Sequence, residues 1–144
     1  MNGRPARVAG LLLTGVGVLA TGGLALRASA SPGDHAVREI RIVIHHSRFE
    51  PGDVEIAPGE TVRFVIVNTD PIDHEFIVGD ARVQLMHERG TEAHHPPRPG
   101  EITVPAGATR PTTVDFPTSP GATLFGCHLP GHYAYGMVGT VRIG

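Results

Sequence analysis

The sequence predicts an all-β fold, a Greek-key β-sandwich of about eight strands. Short runs of β-branched residues alternate with polar ones, as in Ile40, Ile42 and Ile44 against Glu39 and Arg41. The 19 Gly and 13 Pro are high for a chain of 144 residues, which suits short strands joined by turns. Beyond residue 30 no stretch carries a convincing long helical pattern.

Arg4 and Arg7 precede an uncharged run of 19 residues at 8–26, and Ala28-Ser29-Ala30 supplies a small-x-small cleavage site. Residues 1–30 therefore read as a signal peptide. The run exceeds the usual apolar core of about 7–15 residues, so an uncleaved N-terminal membrane anchor is the alternative. Both readings keep Arg4 and Arg7 inside and place the rest outside the cytoplasm, whether periplasmic, cell-surface or secreted.

Residues 31–36 are a linker, and 37–144 are expected to form one domain, long enough for a single core. The first strand, 37–44, buries Ile40, Ile42 and Ile44. An extended segment over 49–57 follows, with Val54 and Ile56 in phase until Pro58-Gly59 turns the chain. Residues 61–68 are the strongest strand signal, with Val62, Phe64 and Ile66 inward. After a turn at 68–71, the strand at 74–78 puts His74 and Phe76 on the same face by its period of two.

Residues 80–100 break the pattern. A short helix over 81–89 ends at Gly90, and Pro96-Pro97-Arg98-Pro99-Gly100 forbids regular structure, so the stretch reads as an inserted loop. Strands resume at 101–104 and, after Pro105-Ala106-Gly107, at 112–116, 122–127 and 138–143. His45 and His46, at the end of the first strand, are expected on opposite faces and so unable to share one ion.

Apolar residues at 40% and charged ones at 18% mark a globular chain. Beyond residue 30, nine Arg face fourteen Asp and Glu, a net of −5 with His neutral. No basic stripe exists, which argues against nucleic acid as a partner. The single Cys excludes an intramolecular disulfide, and in an exported protein a lone thiol needs something to hold it.

Metal ligation would do so. In Gly126-Cys127-His128-Leu129-Pro130-Gly131-His132-Tyr133-Ala134-Tyr135-Gly136-Met137, a thiolate, an imidazole and a thioether fall in one turn-rich loop. One Cys and two His with a weak axial Met is a set that serves both oxidation states of copper. His74, in a β-forming run, is the best candidate for the second imidazole.

The Cys-x4-His-x4-Met loop with Pro-Gly before its His, preceded by Asn68-x-Asp70-x3-His74-x-Phe76, resembles the cupredoxins, or type 1 blue copper proteins. Its loop spacing is closer to the rusticyanin and auracyanin kind than to plastocyanin. The resemblance covers about residues 37–144. It implies a cupredoxin-like sandwich binding one type 1 copper per chain through His74, Cys127, His132 and Met137. Glu75 departs from the family, many of whose members carry there an Asn or Ser that hydrogen-bonds the Cys sulfur.

The expected function is that of an exported protein that carries single electrons between redox partners by Cu(I)/Cu(II) cycling. Leu129, Pro130, Tyr133, Ala134 and Tyr135 would form an apolar docking rim around His132 for cytochrome or terminal-oxidase-type proteins. The alternative is an extracytoplasmic copper carrier whose insert, with Met86, His87, His94 and His95, handles metal. The plainer reading of that insert is a solvated polar flap. His128 is expected to be an ordinary loop residue. Catalysis is not expected: four side chains fill the copper positions, and neither a Cys-x3-Cys pair nor His-x-His pairs exist for further coppers. A monomer is expected.

Overall fold

The computed structural model of the protein describes Gly3 and residues 37–91 and 97–144. The expected signal segment, the linker at 31–36, and His94 and His95 lie outside the described residues. Among the described residues no helix is long and apolar enough to cross a membrane.

The elements in order are β1 (Arg38–His45), β2 (Arg48–Glu50), β3 (Asp53–Ile56), β4 (Thr61–Asn68), β5 (His74–Gly79), α1 (Ala81–Glu88), β6 (Glu101–Val104), β7 (Thr109–Asp115), β8 (Gly121–Gly126) and β9 (Val138–Ile143). They form a four-stranded sheet in the order β2-β1-β4-β7 and a five-stranded sheet in the order β3-β9-β8-β5-β6. Two neighbouring pairs are parallel, β1 with β4 and β3 with β9. The sandwich expected from the alternation is the one formed.

Its core follows from the period of two. Ile40, Ile42 and Ile44 from β1, Val62, Phe64 and Ile66 from β4, and Val54 and Ile56 from β3 are all buried. Phe49, Phe64, Phe76, Phe116 and Phe125 are buried as well. Phe76 meets Phe49 at 5.7 Å, Phe64 at 5.3 Å and Phe125 at 5.2 Å between ring centroids, so it ties the two layers together. Each ring contributes about 1.5–3 kcal/mol by leaving water.

Two boundaries differ from expectation. The extended segment at 49–57 is two strands in different sheets, which makes nine strands among the described residues rather than eight. Pro51, without an N–H, ends the ladder of β2, and at Gly52 the chain crosses to the other layer as β3. Strand β7 starts at Thr109 and contains Pro111. It tolerates the missing N–H because it is the edge strand of its sheet.

The insert carries an ordered helix. Asp80 caps α1, its Oδ1 accepting from the N–H groups of Arg82 and Val83 at 3.0 and 2.9 Å. At the other end Gly90, at φ +60°, donates to His87 O and Thr91 donates to Met86 O, a Schellman closure. The helix packs on β5 and β8.

Candidate metal centre

Three of the four residues picked out as ligands converge. One ligand atom from each of His74, Cys127 and His132 lies within 4.8 Å of the others. His74 begins β5, while Cys127 and His132 follow β8. These strands are neighbours in one sheet, with Ile77 opposite Gly126. Cys127 Sγ is 3.3 Å from His132 Nδ1 and 3.9 Å from His74 Nδ1. His74, Cys127 and Met137 are buried, and His132 is partly exposed.

The loop holds this arrangement through its own backbone. His132 N–H donates to Leu129 O at 2.9 Å across Pro130-Gly131, with Gly131 at φ +85°. Pro then Gly at the two central positions suits a type II turn, whose second central residue needs φ > 0. Met137 N–H returns to His132 O at 2.9 Å, and Cys127 N–H to Met137 O at 3.1 Å. The two ends of the Cys-to-Met loop are thus bonded to each other, and the His turn is bonded to Met137.

His74 is set from behind by Asp70, whose Oδ2 is 3.0 Å from His74 Nε2. A carboxylate on that nitrogen fixes the tautomer with Nε2 protonated and leaves Nδ1 as the lone-pair donor towards the thiol. Asp70 in turn accepts from His46 N–H and Ser47 N–H, each at 2.7 Å. Asn68, also buried, donates to the carbonyls of Ile72, Val104 and Pro105 at 2.8, 3.0 and 3.1 Å. The segment leading to His74 is therefore tied to the β1–β2 turn on one side and to the end of β6 on the other.

Protonation states follow from this burial. Burial pushes the His74 pKa below its ordinary 6.5, outweighing the attraction of Asp70, so the imidazole is neutral at pH 7. Burial pushes the Cys127 thiol above its ordinary 9.0, despite the N–H groups of Glu75 and Leu129 that favour the thiolate. Burial alone would raise Asp70, but the N–H groups of Ser47 and His46, with His74, win and hold it below 3.8. One thiol and two imidazoles gathered in a largely buried site, with a buried Met closing their loop, fit a soft transition metal such as copper. They do not fit a hard cation, which wants oxygen ligands.

Four features went unread in the sequence. Glu75 supplies the sulfur with a backbone bond instead of a side-chain one: its N–H donates to Cys127 Sγ at 3.3 Å, and its Oε2 accepts from His128 N–H at 3.2 Å. His128 sits in the loop as expected, but its side chain is only 2% exposed and lies against α1. His45 and His46 do not point to opposite faces. His46 leaves the strand at φ +50°, and the two exposed rings come to 3.8 Å between centroids. In the insert, His87 is largely buried near Glu101 and stacks on His128, so it is not part of a solvated flap.

Comparison with known proteins gives a consistent answer. Residues 39–144 match the family described as copper binding proteins, plastocyanin/azurin family. The copper-resistant cuproprotein CopI of Rubrivivax gelatinosus is 38% identical over 118 residues, spanning 78% of this chain and 71% of its own. That of Pseudomonas aeruginosa is 28% identical over 141 residues, spanning 75% and 77%. Among solved structures, auracyanin B superposes with a TM-score of 0.62 at 20% identity, covering 81% of this chain and 92% of its own. Auracyanin A of Chloroflexus aurantiacus, titled a "blue" copper protein, gives 0.59 at 20%, covering 74% and 98%. At such identity the likeness shows the fold alone.

Proposed function

The chain belongs to the plastocyanin/azurin family of copper-binding proteins, with copper as its cofactor, and from that premise we propose that it is an extracytoplasmic copper-holding protein serving copper tolerance. The observation that carries this reading is the convergence of Cys127, His74 and His132 within 4.8 Å. The CopI relatives, named copper-resistant, point to tolerance as the purpose. The residues that would hold one copper per chain are His74, Cys127, His132 and Met137.

Bound copper supplies a one-electron couple and a strong bond to sulfur. The chain's own residues do the rest. Asp70 holds His74 with Nδ1 free, and Glu75 N–H compensates charge on the sulfur. The Pro130-Gly131 turn places His132, the most exposed of the proposed ligands, at the rim. With side chains as all four proposed ligands, none of the positions would be left open to a substrate, which supports a non-catalytic role. The expected site of action, periplasmic or cell-surface, rests on residues 1–30.

Single-electron transfer is the second reading. It is favoured by the rim beside His132, where Tyr135 is 85% exposed. A cytochrome or oxidase-type partner would dock there, against a monomeric carrier. The copper assignment is tested by adding Cu(II) to the purified protein. An intense visible band that bleaches on reduction and is lost in Cys127→Ser is expected, and a colourless wild-type adduct refutes it. Tolerance is separated from electron transfer by growth at raised copper. Cells whose only copy is Cys127→Ser should be copper-sensitive, whereas unchanged tolerance with slowed electron transfer favours the second reading.

A further inference from the structure

We propose that helix α1 is the clamp that positions the copper loop, gripping it through His128, next to Cys127, whose ring in turn stacks on Tyr133, next to His132. The proposal rests on the ligand assignment above for its purpose, but its geometry uses none of the ligand side chains.

Gln84 is the centre of the clamp. It lies in mid-helix with only 2% of its surface exposed. Its Nε2 donates to Ile77 O, Gly79 O and Leu124 O at 3.0, 3.2 and 3.4 Å, which join α1 to both β5 and β8. Three carbonyls around the amide nitrogen leave one orientation, with Oε1 turned to the loop as an acceptor. There it receives the His128 Nε2–H at 2.8 Å. One turn further along the helix, Glu88 Oε2 lies 3.1 Å from His128 Nδ1. Gln84 and Glu88 are four apart, so one helix face presents an acceptor to each nitrogen of one ring.

The ring is also held by its faces. It stacks on Tyr133 at 4.6 Å and 23° and on His87 at 5.6 Å and 26°. His87 belongs to α1 and Tyr133 to the loop. Gly126 makes this fit: a Cβ there would stand 2.8 Å from Gln84 Oε1 and 2.8 Å from the Tyr133 ring. The inserted segment that the ligand pattern does not use thus fixes the backbone on either side of the turn that presents His132. Gln84 is among neither the proposed ligands nor the groups bonded to them, so it acts as a positioning residue.

The test compares wild type with Gln84→Met and Glu88→Ala, full chain throughout. In metal-free protein, backbone hydrogen exchange is followed at His132 and Met137, whose N–H groups close the loop, and along β4 as reference. Gln84→Met should speed exchange at the two loop amides at least tenfold with β4 unchanged, and Glu88→Ala should do so to a smaller extent. In copper-loaded protein the same variants should shift the visible band and lose copper to a chelator several-fold faster. Loop exchange that is unchanged in both variants, or that rises equally in β4, overturns the proposal. Should Gln84→Met not fold, Glu88→Ala on the more exposed end of the network decides alone. A wild-type protein that takes up no copper refutes the ligand assignment while the exchange result still stands.

Discussion

At the scale of single residues, Asp70 shows how much a site depends on groups that never touch the metal. Its two oxygens serve three donors, His46 N–H, Ser47 N–H and His74 Nε2. Asn has only one acceptor oxygen, so Asp70→Asn leaves at least one of them unmet, at about 1–3 kcal/mol in urea unfolding of the metal-free protein. Copper affinity in chelator competition should fall about 10–100-fold as His74 loses its orientation. The same residue shapes the acid response. Its folded pKa is depressed, so its contribution is complete above the ordinary 3.8 and is lost as pH falls through the lower folded value. His74, also depressed, removes stability earlier, as pH drops below about 6.5, because the unfolded chain takes a proton that the fold resists. Metal-free protein should therefore weaken in two stages on acidification, and Asp70→Asn should flatten the lower one. Cys127 gives a further check. With its thiol held above 9.0, copper binding at pH 7 should release about one proton, read by calorimetry in buffers of different ionisation heat. The convergence of His74, Cys127 and His132 was legible from type and spacing. Asp70's grip on the β1–β2 turn was not, because it joins positions more than twenty residues apart whose meeting only the parallel β1–β4 ladder arranges.

At the scale of elements, strands were read well wherever one face is buried, since alternation then records the layer directly. Strand β4 is the clearest instance, with Val62, Phe64 and Ile66 buried as expected. The break at Pro51-Gly52 was missed because Val54 and Ile56 keep the same period after the chain has changed sheets. Helix α1 was read in outline but not in purpose: its buried group is a polar Gln, which no apolar stripe announces. Gly126 and Gly121, both in β8, separate packing from backbone preference. Gly126→Ala should cost about 1–3 kcal/mol through overpacking against Gln84 and Tyr133. At Gly121 a Cβ meets nothing within 4 Å, and the same change should stay within about 0.5 kcal/mol. Urea midpoints of the two variants make the comparison.

At the scale of the whole molecule, the two layers meet through the Phe cluster, and the metal centre lies where β5 begins and β8 ends. Phe64→Ala, in the opposite sheet, should cost about 3–5 kcal/mol in thermal or urea unfolding. Because Phe64 reaches Phe76 at 5.3 Å, and Phe76 shares β5 with His74, that loss should also loosen metal binding. An unaltered chelator competition would show the centre to be insulated from the core. Strand β9 has a separate consequence. It lies between β3 and β8, and it follows the Cys127–Met137 loop in the chain. Until β9 docks, Met137 O has no fixed place and Cys127 N–H has no partner to close the loop. A chain whose last strand is still undocked would therefore present a naked sulfhydryl with no organised pocket around it, and copper loading would wait for the finished sandwich.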